Sequence, residues 1–527
     1  MTTVTPLPRA AMLLAGVSIA LSSPCPAQES IGKAAAPSRV TIGRETTWFT
    51  EPVRADGTVD FIAAVNARFA AGATAETNAC VLLYEALGPS PEGSRQPERF
   101  FRLLGVEPLP DQGAYFRSLH AWVTTQFPDG SVDPNVVATM QSEAMARPWR
   151  TDEFPLIAAW IEAQEVPLRA FVAATERPAY FSPLTLADDD PDGCIVNVLL
   201  PGVQASRELS RALLARAMRE LADGRDEDAR RDLLAIHRFG RLVGQGPTLI
   251  ESLVGAATET MAIKGASRLL AETKPSNASL AAYRAQLDAL PPRVAVVDKL
   301  DVAERAMHLD LVQALANGRM SVAELRDLFG DAEPGGVLEK LGGPELRRLV
   351  GWDTVLMKSN AAYDRLVEAG RMPDALERSR AVERLVGSIR QAAVDSRARL
   401  PELAPRQDGE EITQVVASEL MSLLLQSSAN VFTSENRVAM QMRNLDLAIA
   451  LAAYRNDHDG YPESLAALTP RPFATVPIDL FSGQPVRYVR TEDGYRLWSV
   501  GPDGKEDVAG DAVTDDLVVE MPATDGG

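Results

Sequence analysis

Five aspartates, Asp503, Asp507, Asp511, Asp515 and Asp516, crowd one turn near the end of the sequence, inside SVGPDGKEDVAGDAVTDDLVV. Carboxylates at this density repel one another unless water or a cation separates them. Calcium takes about six to eight oxygens and accepts carboxylates, carbonyls and water together, so such a turn offers what that ion needs. The competing reading is a solvated acidic loop. A second acidic run, LADDDPDGCIV, places Asp188, Asp190, Asp192, Gly193 and Ile195 at the spacing that opens an EF-hand loop. Its twelfth position is Leu199, where the bidentate glutamate belongs. We read that run as a solvated turn.

Other chemistry is sparse. The four histidines, His120, His237, His308 and His458, stand in no His-Glu-x-x-His or His-x-His pattern, and no Cys-x-x-Cys occurs. A zinc site therefore has little to build on. Nucleophile-elbow, Walker and dinucleotide-binding glycine motifs are absent as well. Each histidine falls within or at the end of a helical segment and reads as a surface or core residue. Acidic residues number 72, so carboxylate pairs at helical spacing are plentiful by chance. A hydrolase site needs two that converge across a cleft, which spacing along the chain does not reveal. Cys80 and Cys194 remain after leader removal. A disulfide and two buried free thiols are both open, although Cys80 lies on the apolar helix TNACVLLYEALG.

The residues that would position such groups belong to a chain of 527 with a formal charge of -19. An average field of that sign repels nucleic acid and anionic membranes, so neither is an expected partner. The apolar fraction of 46% is that of a globular chain, and the length calls for more than one core. Residues 1–27 read as a signal peptide. Arg9 precedes the short apolar run AAMLLAGVSIALSS, and small residues follow up to Ala27. Pro24 before Cys25 does not suit a lipoprotein signal, and the pilin-type cleavage site is missing. No later segment reads as apolar for long enough to span a bilayer. The expectation is a periplasmic or secreted protein with no transmembrane span after cleavage.

Residues 28–45 read as a flexible lead-in, and 46–400 as an irregular multi-helix body. A helix opens at the cap Thr151 in TDEFPLIAAWIEAQ. Leu209, Leu213, Ala217 and Leu221 form one helical face, and Ala229, Leu233 and Ile236 the face of the next, giving a helical hairpin. Thr248 and Glu251 have capping-box spacing after a Gly-Pro break. Gly255, Ala256 and Ala257 permit a close helix crossing. Residues 401–433 read as a linker and a connecting helix, and the next helix is placed at Thr433. Along it, Val438, Met442, Leu445, Ile449 and Ala452 form a stripe that ends at Gly460. A short helix (ESLAAL), a proline-rich crossover, the hairpin VRYVR/YRLWSV and a third strand, DLVVE, complete 434–522. The fold class is mainly α, followed by a small α+β C-terminal domain with a long helix and a three-stranded antiparallel sheet.

The strings IALAAYRNDHDGYP, PIDLFSGQPVRY, GYRLWSVGPDGK and DDLVV, spread from Glu435 to Met521, resemble the globular domain of the type II secretion major pseudopilin. The whole chain also looks like large uncharacterised exported bacterial proteins that carry this module. The resemblance implies a calcium site in the loop after Gly-Pro-Asp-Gly. Asp503 and Asp515 would supply carboxylates and Val500 its carbonyl. The spacing from Asp503 to Asp515 is longer than the family pattern, which puts Asp511 forward as a replacement for Asp515. Pseudopilins polymerise through an apolar N-terminal helix. Here most of the chain precedes the module, so a filament subunit is not expected.

Three functions follow as expectations. The first is an exported non-enzymatic scaffold or binding protein with a calcium-stabilised C-terminal module, its partner another exported protein. The second is a hydrolase with paired carboxylates in a cleft of the helical body. The third is an accessory component of a type II secretion-like machine.

Overall fold

The computed structural model describes residues 39–188, 190, 193–198, 200–329, 347–403, 408–425, 428–507 and 515–522. Residues 1–27, read from the sequence as a signal peptide, and most of 28–45, read as a lead-in, lie outside these residues. The chain is mainly α, with a small α+β part at its C-terminal end. Short helices come first: α1 (Phe61–Phe69), α2 (Ala79–Leu87), α3 (Glu98–Leu104), α4 (Leu119–Gln126), α5 (Pro134–Ala146), α6 (Pro155–Ala163) and α7 (Glu165–Thr175). Three long helices follow, α8 (Pro201–Ala222), α9 (Asp226–Val243) and α10 (Leu249–Glu272). Then come α11 (Asn277–Asp288), α12 (Val296–Lys299), α13 (Arg305–Asn317), α14 (Val322–Phe329), α15 (Trp352–Gly370), α16 (Ala375–Leu403), α17 (Gly409–Leu425) and α18 (Ser428–His458). A π-helical turn, Leu300–Glu304, joins α12 to α13.

The helical hairpin forms as its apolar faces require. Leu209, Leu213 and Ala217 of α8 and Ala229, Leu233 and Ile236 of α9 are all fully buried. Transfer of such side chains out of water contributes about 1.5–3 kcal/mol each for the larger ones. The small-residue stripe packs as expected: a Cβ added to Gly255 of α10 would stand 2.6 Å from the Gly240 carbonyl of α9. At the start of α10 the capping box is complete. Thr248 Oγ1 accepts the Glu251 N–H at 3.2 Å, and Glu251 Oε2 accepts the Thr248 N–H at 2.9 Å.

That helix start also collects buried charge. Glu304, on the π turn, accepts the Leu249 N–H at 3.0 Å, and Lys299 Nζ donates to the Thr248 carbonyl at 3.2 Å. Glu251 and Lys299 are fully buried. Burial raises both glutamates above the usual carboxylate range and lowers Lys299 to about 8, against the pull of Glu251 and Glu304.

Four local expectations are corrected. Helix α6 begins at Pro155 rather than at Thr151, because proline suits the first helical position and holds the preceding Phe154 out of it. Helix α18 begins at Ser428, earlier than Thr433. The hydroxyls of Thr433 and Ser434 bond back to the carbonyls of Ala429 and Asn430 inside the helix and cap nothing. The residue beyond its end that takes positive φ is Asp459, at 56°, and not Gly460; aspartate is among the residues that tolerate the left-handed region. ESLAAL forms a 3₁₀ turn, Leu465–Leu468. Cys80 and Cys194 are free and buried, and burial raises both thiols, Cys194 to about 12.

Contrary to the composition reading, the stretch Gly409–His458 is long and apolar enough to cross a membrane by length and hydropathy alone. Of its most apolar window 69% is buried against the rest of the protein, as in a core helix.

The C-terminal sheet has the order β1 (Arg487–Arg490), β2 (Tyr495–Ser499), β3 (Leu517–Met521), antiparallel throughout. Cross-strand partners Tyr495 and Met521, Leu497 and Val519, and Ser499 and Leu517 share one face. On the other face, Arg496 reaches Glu520 at 3.3 Å. Helix α18 holds the sheet through Asn444, whose side-chain amide donates to the Leu517 carbonyl at 2.9 Å. The same helix is tied to the body: Asp446 meets Arg284 of α11 at 2.8 Å, and Gln441 accepts from Thr260 of α10 at 2.8 Å.

Candidate functional site

The acidic turn hangs from a buried anchor. Asp479, in the crossover before β1, is fully buried, and its carboxylate accepts four hydrogen bonds. The donors are Phe481 N–H at 3.0 Å, Ser482 Oγ at 3.0 Å, Ser499 Oγ at 2.7 Å and Val500 N–H at 3.1 Å. This locks the end of β2. The chain then reverses through Gly501, at φ +65°, where a Cβ would stand 2.2 Å from the Asp515 carbonyl. Only glycine permits that approach, and it brings the return strand alongside the turn.

The aspartates order themselves around this crossing. Asp503 Oδ1 accepts the Lys505 N–H at 2.7 Å, while the Asp503 N–H donates to Asp515 Oδ2 at 3.1 Å. Asp507 Oδ2 accepts the N–H groups of Asp515 at 2.7 Å and Asp516 at 3.0 Å. The Asp507 N–H donates to Asp516 Oδ2 at 3.3 Å. Carboxylate oxygens of Asp507, Asp515 and Asp516 thereby lie within 4.8 Å of one another. Among the described residues no lysine or arginine pairs with any of the three; the nearby Arg487 pairs with Glu506 at 3.5 Å. Asp516 Oδ1 is buried and has no hydrogen-bond partner among the described residues. Burial raises the Asp516 carboxyl, and repulsion from Asp507, Asp515 and Glu506 adds to this against one stabilising backbone bond. This donor set suits a hard divalent cation.

Of the residues singled out from the sequence, Asp515 is in this trio. Asp503 stands beside it, its carboxylate turned to its own Asx turn. Val500 is fully buried under the turn and held by Asp479. Asp511 lies outside the described residues. Asp507 and Asp516 complete the trio, although sequence reasoning had not selected them as ligands. Asp479 was missed as an anchor; its sequence signal is the Asp-x-x-Ser-Gly turn composition of PIDLFSG.

The EF-like run presents no comparable arrangement among its described residues. The segment before Asp188 is non-helical, the Ile195 N–H is taken by Asp310 Oδ2 at 2.9 Å, and Asp192 and Leu199 lie outside the described residues. In the helical body, several buried carboxylates are matched to arginines. Glu259 meets Arg241 at 2.6 Å and Arg293 at 2.8 Å; Asp232 meets Arg216 at 2.6 Å; Asp310 meets Arg319 at 3.0 Å. Glu259 and Glu435 border the same cavity, but its volume is about 40 Å³. That is room for water rather than for a substrate. Glu435 accepts the Val296 N–H at 3.0 Å, and its carboxyl is raised by burial.

Comparison with protein-family models, curated proteins and solved structures returns no match to this chain.

Proposed function

We propose that this chain is an exported, non-enzymatic scaffold or binding protein whose C-terminal segment is a pseudopilin-like module stabilised by calcium. The observation that carries this reading is the trio Asp507, Asp515 and Asp516, drawn together across the β2–β3 connection with no basic partner among the described residues. Calcium held by these residues offsets their mutual repulsion and gives the orphaned Asp516 Oδ1 a partner. It also fastens the end of β2, already locked by Asp479, to the start of β3. The order of long helix, hairpin, acidic turn and third strand supports the likeness to the pseudopilin domain. Export rests on the leader reading of residues 1–27.

Thermal melts of the full chain in millimolar calcium and in chelator test the proposal. A cation that binds only the folded chain raises its stability by mass action, by about 2.7 kcal/mol at a hundredfold excess over the dissociation constant. The expected result is a higher Tm in calcium that disappears in Asp515→Asn/Asp516→Asn. Equal Tm values in calcium and chelator for the parent chain refute the calcium reading.

A further inference from the structure

A larger concavity opens elsewhere in the helical body, far from the acidic turn in sequence. It lies between α1, α3 and the extended residues 181–186, with a volume of about 510 Å³. That is within the range of about 300–1,000 Å³ typical of small-molecule sites. Small side chains keep it open: Ala63, Ala67 and Ala70 lie along its α1 side. Leu103, Phe181 and Leu184 supply apolar wall, and Leu103 is 47% exposed at its rim. The wall is rigidly set, because Asn66 of α1 exchanges two hydrogen bonds of 2.8 Å with the backbone of Leu184.

The charges on this wall do not balance. Arg54 lies 3.5 Å from Asp60, and Asp60 also caps α1 by accepting the Ala63 N–H at 3.1 Å. These two charges offset each other. Arg99, from α3, has no such partner among the described residues. It donates through Nη2 to the Leu186 carbonyl, its Nε is buried without an acceptor, and among the described residues no carboxylate pairs with it. A guanidinium with no carboxylate partner among the described residues therefore borders a mostly apolar hollow, whose other charges, Arg54 and Asp60, pair with each other, in a chain whose net charge is -19. Its fork of donors matches a carboxylate, and the apolar walls match a hydrocarbon body.

We infer that this cavity binds a small amphipathic carboxylate, its head group on Arg99 and its apolar chain along the α1 alanines and Phe181. Such a ligand gives the guanidinium a counter-charge that no described residue supplies and covers exposed apolar wall in one step. The inference does not depend on the calcium reading, and its test is run in chelator so that the two fail separately.

The probe is decanoate, titrated calorimetrically into the full chain at neutral pH below its micellar concentration. Decanol, decylammonium and inorganic phosphate are the controls. The expected result is saturable one-to-one binding of decanoate, at least tenfold weaker binding of decanol, and none of decylammonium or phosphate. Arg99→Gln is expected to weaken decanoate at least tenfold. Ala67→Trp, at an exposed position of α1, is expected to abolish binding by filling the hollow. Circular dichroism and Tm confirm that each variant folds; if Ala67→Trp does not, Arg99→Gln decides alone. Absence of decanoate binding by the parent chain overturns the inference. So does binding that folded Arg99→Gln leaves unchanged, or equal affinity for decanol.

Discussion

Gly255 and Gly240 touch backbone to backbone: a Cβ on Gly255 would stand 2.6 Å from the Gly240 carbonyl oxygen, and one on Gly240 would stand 2.9 Å from the Gly255 carbonyl. The crossing of α9 and α10 is set by these two residues. Gly255→Ala is expected to force the helices apart and lower stability by about 1–3 kcal/mol, the usual cost of overpacking a filled interior. Urea unfolding measures it, and a midpoint equal to the parent's would show that the helices separate freely.

Asp479 should be the most sensitive residue of the C-terminal sheet. Its carboxylate accepts four hydrogen bonds in a fully buried site. Asp479→Ala leaves those donors unmatched, at about 1–3 kcal/mol for each buried group that finds no other partner. The expected outcome is a large fall in Tm in chelator as well as in calcium, whereas Asp515→Asn should matter in calcium alone.

His237 is fully buried, and among the described residues neither of its ring nitrogens has a hydrogen-bond partner. Burial depresses its pKa to about 4; Glu259 opposes this, while Arg241 and Arg293 add to it. The unfolded chain takes up a proton near pH 6.5, well before the folded one does. Stability from this residue is therefore present above about pH 6.5 and is lost as pH falls toward 4. His237→Leu removes that loss and an unsatisfied polar group together. It should be more stable than the parent at pH 7, by about 1 kcal/mol, and its advantage should widen at pH 5. An advantage that stays constant with pH would count against this account.

Lys299 is fully buried at the start of α10, its Nζ donating to the Thr248 carbonyl at 3.2 Å and acted on by the charges of Glu251 and Glu304. Lys299→Met should cost about 1–3 kcal/mol, because it leaves the part-buried Thr248 carbonyl without its Nζ donor and removes a cation that favours the ionised glutamates. Adding Glu251→Gln and Glu304→Gln should recover much of the loss. Chemical denaturation of the single and triple variants checks the non-additivity, and simple addition of losses would show that the three groups do not interact.

The general architecture was legible because long amphipathic runs such as Leu209–Leu213–Ala217 carry their own period, and the two short runs VRYVR and YRLWSV flank the turn TEDG. The capping box at Thr248 and Glu251 was legible for the same reason: its partners are three residues apart. What escaped depends on distant partners. Asp479 acquires its role only when Ser499 and Val500 fold against it, and Asp507 joins Asp515 and Asp516 only after the Gly501 turn brings the strands side by side. Arg99 became interesting through what is not beside it, and no local pattern records that. The starts of α6 and α18 were misjudged because Thr151 and Thr433 have cap-forming side chains, while Pro155 sets the first boundary and Thr433 bonds back within a helix already under way.

Helix α18 faces two ways, toward the sheet through Asn444 and toward the body through Gln441 and Asp446. The consequence concerns where the chain can be cut. A fragment starting at Glu435 would leave with the whole sheet but would carry a stripe of side chains made for α10 and α11, with nothing to cover it. The remaining piece would keep the matching groove, equally bare. Such halves should be poorly soluble apart and should reassemble when mixed. For that reason, a ligand that tightens the C-terminal turn should also be registered by protease resistance in the body helices.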